Sequence, residues 1–457
     1  MLSLAVATLW HHRRHPAPAG KETRTMPWFP QSALNDGVRK REVFGWAMYD
    51  FANSGYTTVV LTAVFNAYFV AVVAGNAQWA TLAWTASLAA SCLIVMLTMP
   101  TLGAWADLRA AKKRLLAFTT AGCVATTLAL ALAGRGDVGW AVVAVILSNC
   151  FYAYGESLIA SFLPELARAD ALGRVSGWGW SFGYFGGMLA LGLSLAYVLW
   201  AQGQGQPATE FVPVTLVITA VVYGLAALAT FALLKERAVA QAAPTGAVGM
   251  AASLRQLAQT LRHARRYRDF SWLLACTASY QAGIAVVIAL AAVYAEQVLG
   301  FQQTDTMALV FGVNIASAVG AFGFGYLQDR AGHKRALALT LLGWIVMTAL
   351  AVAATSAPLF WVAAVIAGLC MGASQSAGRA LAGVFAPPAR LAEFYGLWTF
   401  AVRLAALIGP VTYGLVSWAS GGNHRLAFGA TALFFLAGLA LLRPVDVARG
   451  RAAALAA

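Results

Sequence analysis

The chain has 457 residues, of which 60% are hydrophobic and 11% charged, with a formal net charge of +14. Soluble domains carry roughly 45–50% apolar and 25% charged residues, so this composition excludes an ordinary soluble globule. Lys and Arg stand in short clusters between apolar runs, which excludes a nucleic-acid-binding face and makes the charge a report of membrane topology.

The first stretch, Leu2–Trp10, is apolar but short, and its basic cluster His11, His12, Arg13 and Arg14 follows it. A secretory signal has the reverse order, so no cleaved signal is expected. Met26, ahead of Arg39, Lys40 and Arg41, is a second candidate start beside Met1. From there apolar runs of about 20 residues recur, each long enough to cross a hydrocarbon core as a helix. Twelve spans are predicted, at 43–73, 80–105, 114–134, 138–163, 176–200, 212–234, 270–297, 306–328, 335–356, 359–385, 394–418 and 425–443. Continuously apolar stretches such as Val142–Leu147 and Leu433–Leu442 lack the alternation of a β-barrel.

Basic residues fall on alternate loops: Arg109 to Arg114, Arg168 and Arg174, 235–268, Arg330 to Arg335, and Arg379 to Arg390. The positive-inside rule makes these loops, and with them both termini, cytoplasmic. The expected membrane is the plasma (inner) membrane of a bacterium. The longest loop, 235–269, carries a Leu254, Leu257, Leu261, Ala264 stripe opposed by Arg255, Arg262, Arg265 and Arg266, the pattern of an interfacial basic helix meeting anionic lipid headgroups. It divides the chain into an N-terminal segment (1–42), a six-helix bundle (43–234), the linker (235–269), a second six-helix bundle (270–443) and a tail (444–457).

The halves echo each other. Gly103-Ala-Trp-Ala-Asp107 follows the second span and Gly325-Tyr-Leu-Gln-Asp329-Arg330-Ala-Gly332 follows the eighth. Two parallel repeats around a central site give this placement. Gly103 and Gly325 permit close helix approach, and Asp107 and Asp329, with Arg330, can hold a neighbouring helix N-terminus or a basic group as a conformational latch.

Polar groups inside the spans come next, because burying them in lipid is costly and they turn toward a cavity or a partner. Span one carries Asp50, Asn53 and Thr57 at helical spacing, with Thr58, Thr62 and Asn66 as an adjacent row; span four carries Asn149, Tyr152 and Glu156. Span seven offers Tyr280 and Gln281, span ten Gln375 and Arg379, and span eleven Arg403. Asp50 or Glu156 is expected to bind a proton or a substrate amine, and Arg379 or Arg403 a carboxylate; permanent interhelical ion pairs are the alternative. Pro100, Pro164 and Pro410, with Gly183, Gly186 and Gly187, read as packing features.

The stretch Gly45-Trp46-Ala47-Met48-Tyr49-Asp50-Phe51-Ala52-Asn53-Ser54 resembles the opening motif of the major facilitator family that includes the autophagy-related vacuolar amino-acid effluxers. Phe162 to Leu166, Val175 to Gly179, Gly183 to Gly187, Gly372 to Arg379, and Glu393 to Leu397 with Gly409-Pro410 agree with the same pattern, so the resemblance covers about 43–443. It implies a twelve-helix facilitator fold and efflux of neutral amino acids such as leucine as one substrate reading. Family members often have Lys where this chain has Arg403, and an Arg-Ser-like pair where it has Arg379-Ala380. An Arg does not readily release a proton, so Arg403 reads as an anion or pairing site.

The fold class expected is therefore an all-α membrane protein of twelve helices in two six-helix parallel repeats. The function expected is secondary active or facilitative transport of a small solute, with protons as a candidate partner, by a monomer in contact with lipid. A non-transporting sensor or scaffold built on the same fold is the alternative. Cys92, Cys123, Cys150, Cys276 and Cys370 all lie in apolar segments without a C-x-x-C, and no Walker-type or H-E-x-x-H sequence occurs, so no enzyme activity, metal or cofactor is expected.

Overall fold

The computed structural model describes residues 28–240, 266–301 and 303–456. The basic stripe foreseen in the long loop, apart from Arg266, and the Met26 start lie outside these residues. Within them the chain is helical, apart from one antiparallel bridge between Leu34 and Ala167. The spanning helices are α1 Lys40–Val73, α2 Ala80–Leu108, α3 Lys112–Leu130, α4 Val138–Ala160, α5 Leu172–Gly203 and α6 Ala208–Leu233 in the first half. The second half has α7 Arg268–Leu299, α8 Gln303–Ala331, α9 His333–Ala353, α10 Ala357–Phe385, α11 Leu391–Ala419 and α12 His424–Leu442. A short helix, α13 Val447–Leu455, follows.

Helix packing repeats with a shift of six. In the first half α1 packs on α5 and α6, α4 on α2 and α3, and α3 on α6; in the second α7 packs on α11 and α12, α10 on α8 and α9, and α9 on α12. Between halves α2 packs on α11 and α5 on α8, each the counterpart of the other. The duplication is therefore three-dimensional. Apolar side chains such as Leu82, Leu97, Leu132, Leu228 and Leu433 remain exposed around the outside of the bundle, as expected where lipid is the solvent.

Close crossings rest on small residues, since lipid supplies no hydrophobic drive between helices. A Cβ on Gly103 would strike the Ala392 carbonyl, and one on Gly396 would lie 2.8 Å from the Pro100 backbone. Gly183, Gly186 and Gly187 likewise let α5 lie against α1.

The turn after each loop motif shows what the first copy lacks. Gly332 has φ +93° and ψ 144° between α8 and α9, a region open essentially to glycine. Its counterpart seven residues past the first motif glycine is Ala110, which adopts φ +48° at the expense of a left-handed alanine.

Helix α1 departs from the simple spacing. It winds as a π-helix over Thr57–Ala63 and again over Phe69–Val73. Thr62 is consequently exposed and its hydroxyl donates to Thr57 O at 3.0 Å. The polar row expected to continue through Thr58, Thr62 and Asn66 does not form one inward face, because extra residues per turn rotate the later positions away.

Ahead of α1, an arm is tied down by Asn35, whose N–H donates to Leu166 O at 3.0 Å and whose side-chain amide donates to Pro164 O and Glu165 O. The arm also crosses to the other half. Phe29 packs on Trp178 of α5 and Phe322 of α8, with ring centroids 5.1 and 5.8 Å apart, and Tyr326 donates to Trp28 O.

Candidate functional site

The ends of α2, α4, α8 and α10, and the starts of α3, α5, α9 and α11, bring Arg109, Lys112, Lys113, Arg114, Arg174, Lys334 and Arg335 to one end of the bundle, called here the basic end. Hydrogen bonds joining the halves gather at this end. Asp107 Oδ1 accepts from Ala392 N–H at 3.1 Å and its Oδ2 from Glu393 N–H at 2.9 Å, at the start of α11. Asp329 accepts from Gly173 N–H at 2.9 Å, Arg174 N–H at 3.1 Å and Arg174 Nε at 2.7 Å, at the start of α5. Helix N-termini present unpaired N–H groups and a partial positive charge, so a carboxylate satisfies both needs at once. Gly103 and Gly325 sit at the same two crossings, while Arg330 is exposed.

Deeper in, two ion pairs join the halves. Arg379 Nη1 donates to Asp50 Oδ2 at 2.7 Å, and both residues are buried. The same guanidinium donates from Nε to Ser176 Oγ at 3.1 Å and from Nη2 to Ser176 O at 2.8 Å. Its carbon lies 4.6 Å from the Trp46 ring centroid and 5.3 Å from that of Trp180, an aromatic seat that suits a weakly hydrated planar cation. The second pair is Arg403 Nη2 to Glu156 Oε2 at 2.5 Å, with Arg403 also 5.7 Å from the Tyr152 ring. Arg403 lies twelve residues into α11, about 18 Å from its start at 1.5 Å per residue.

Between these pairs lies a cavity of about 60 Å³ lined by Asp50, Asn53, Ser54, Thr57, Tyr152, Glu156, Ala160, Trp180, Arg379 and Trp398. Of the residues singled out in the sequence, Asp50, Asn53, Thr57, Tyr152, Glu156 and Arg379 line it, and Arg403 reaches it through Glu156. The others serve neighbouring networks. Asn149 donates to Ser91 Oγ at 2.6 Å, Gln281 donates to Gln375 Oε1 at 2.7 Å, and Tyr280 is buried against Gly378. Sequence reasoning missed Ser176, Trp46, Trp180 and Trp398. A hydropathy reading counts tryptophan as apolar, and its N–H leaves no mark on periodicity.

Behind α1, hydroxyls brace the acidic face. Tyr223 donates to Asn53 Oδ1 at 2.9 Å and to Tyr49 Oη at 3.2 Å, and the Tyr49 and Thr120 hydroxyls are 2.9 Å apart. This fixes the α1 face that carries Asp50.

The residues 69–455 match the family model described as vacuole effluxer Atg22 like. Among relatives, the MFS-type transporter YxiO of Bacillus subtilis (strain 168) is 24% identical over 396 residues, covering 86% of this chain and 92% of that one. Autophagy-related protein 22-1 of Aspergillus niger is 28% identical over 221 residues, covering 45% of this chain and 36% of that protein. Among solved structures, the human organic anion transporter MFSD10 superposes with a TM-score of 0.68 at 13% identity, over 88% of this chain and 99% of that one. At that identity the likeness shows the fold, which is the twelve-helix major facilitator arrangement with its cavity between two halves. The chain is thus an integral membrane transporter and belongs to the vacuole effluxer Atg22-like family of the major facilitator superfamily.

Proposed function

We propose that this transporter works as a monomer by alternating access in the plasma membrane of a bacterium, with its basic end and both termini in the cytoplasm, and exports neutral amino acids. The orientation rests on the concentration of Lys and Arg at that end. On this reading the two bundles, 43–234 and 270–443, are the bodies that rock, and Asp107 and Asp329 latch them shut at the cytoplasmic side.

The observation that carries the reading is the pair of ion pairs at the cavity, each with its acid in the first half and its base in the second. Parting the halves at the basic end separates both pairs, which leaves four charges in need of partners. A zwitterionic solute supplies one carboxylate and one ammonium, and a proton can neutralise an acid. Glu156, with its side chain 29% exposed, is more open to the cavity than Asp50 at 10%, so it is assigned the proton. Amino-acid export also agrees with the effluxer description of the family.

Purified protein in liposomes loaded with labelled leucine or alanine tests this. Counterflow is expected in the wild type. Glu156→Gln should keep counterflow and lose accumulation driven by a pH gradient. Full pH-driven accumulation in that variant removes the proton role, and absence of amino-acid flux in the wild type removes the substrate class.

A further inference from the structure

Most buried indoles of this protein have an acceptor. Trp46 donates to Ile159 O at 2.8 Å, Trp178 to Tyr326 Oη at 3.2 Å and Trp344 to Ser374 Oγ at 3.3 Å. Two indole N–H groups are buried without one among the described residues, those of Trp180 and Trp398. Both residues line the same cavity, and Trp398 is only 5% exposed. Leaving a buried donor unmet is unfavourable, and the two exceptions coincide at one place. A third donor there, the Asn53 Nδ2, is also without a partner, while its Oδ1 accepts from Tyr223.

The placement of the two rings adds to this. Trp180 belongs to α5 of the first half and Trp398 to α11 of the second, so one acceptor group held by both joins the halves. Three unmet donors on residues that line one cavity call for a group with several lone pairs. A carboxylate offers about four acceptor sites, more than an alcohol or an amide oxygen, and its bonds are charge-assisted. The acids Asp50 and Glu156 are already balanced by Arg379 and Arg403, so the cavity carries no net charge that would reject a zwitterion.

We infer that Trp180 and Trp398 are specificity residues whose indole N–H groups receive the carboxylate of the transported solute, one from each half. The inference rests on the cavity being the solute site proposed above. It goes further by naming neutral donors that read the acid beside the Arg379 and Arg403 charges.

The experiment measures thermal stabilisation and counterflow inhibition of the full chain by matched probes: leucine, leucinol, leucinamide, 2-hydroxyisocaproate and 4-methylpentanoate. Acids are expected to bind at least tenfold more tightly than leucinol or leucinamide. Trp180→Phe and Trp398→Phe, which keep a ring and remove the N–H, should weaken acid binding about tenfold or more and leave the weak binding of leucinol unchanged. Trp398→His, which restores a ring N–H, should recover part of the loss and also answers the objection that the phenylalanine variant merely misfolds. Equal binding of leucine and leucinol, unchanged acid affinity in both phenylalanine variants, or no binding of any carboxylate overturns the inference. Binding of the hydroxy acid and the simple acid but not of leucine overturns the amino-acid reading alone and leaves the indole assignment standing.

Discussion

Replacing Asp329 by Asn should open the basic end more than the same change at Asp107, and the difference follows from their partners. Asp329 accepts from two N–H groups at the start of α5 and from the Arg174 guanidinium. Asp107 accepts from two N–H groups at the start of α11. An amide keeps one acceptor oxygen but loses the charge. The charge-assisted bond to Arg174 contributes about 2 kcal/mol and the interaction with the helix terminus about 1 kcal/mol. Together these shift the ratio of open to closed molecules about 100-fold, since 1.4 kcal/mol is a factor of ten. For Asp107→Asn, which loses the helix-terminus interaction of about 1 kcal/mol but no charge-assisted side-chain bond, about fivefold is expected. Spin labels at Asp170→Cys and Arg335→Cys, both at the basic end and on opposite halves, report the ratio as a distance distribution once the five buried cysteines are replaced. The long-distance fraction should rise in the order wild type, Asp107→Asn, Asp329→Asn, with exchange rates altered in both variants. No shift in either, or equal shifts in both, refutes the reasoning.

Three further outcomes are expected. Ala110→Gly should raise the melting temperature, because it relieves a left-handed alanine worth about 1–2 kcal/mol less the added chain entropy of glycine, whereas Gly332→Ala should lower it; differential scanning fluorimetry in detergent checks both signs. Glu236, beyond the end of α6, accepts from Lys113 N–H at 2.6 Å, and burial pushes its carboxyl above the usual value of 4.5. A raised carboxyl pKa means the folded protein holds the proton longer, so this group's contribution falls as pH rises from about 4.5 through the raised value and stays low above it. Glu236→Gln should therefore match or exceed wild-type stability at pH 7 and gain on it through that window; a lower melting temperature at pH 7 than wild type contradicts this. Finally, Phe29→Ala should increase the open fraction at the basic end severalfold in the same spin-label experiment, since an aromatic pair contributes about 0.5–1.5 kcal/mol and this one bridges α5 and α8; an unchanged distribution removes that role.

Much of the architecture is legible in the sequence because lipid leaves the backbone few choices. Runs of 20 apolar residues fix the helices, and the two Gly-x-x-x-Asp copies fix the duplication. The site is legible only in part. Asp50, Glu156, Arg379 and Arg403 stand out as charges among apolar neighbours, but their pairing across more than two hundred residues belongs to the tertiary fold, which no local spacing encodes. The α1 prediction fails beyond Thr57 because spacing assumes 3.6 residues per turn, and the chain there winds more widely. Trp180 and Trp398 escape for a different reason. Their chemistry lies in one N–H on an otherwise oily ring, and only the surrounding shape reveals that it is unmet.

Asp107 lies in the first half and caps a helix of the second, while Asp329 lies in the second and caps a helix of the first. Such a crossed handshake means that neither bundle is chemically complete by itself: each lends an anion and borrows one. A sideways slip of one bundle misaligns both grips together, whereas tilting about an axis between them can release the grips in step. On the proposed rocking cycle the repeated fold supplies symmetry of motion as well as symmetry of form, and the two grips favour pivoting over sliding.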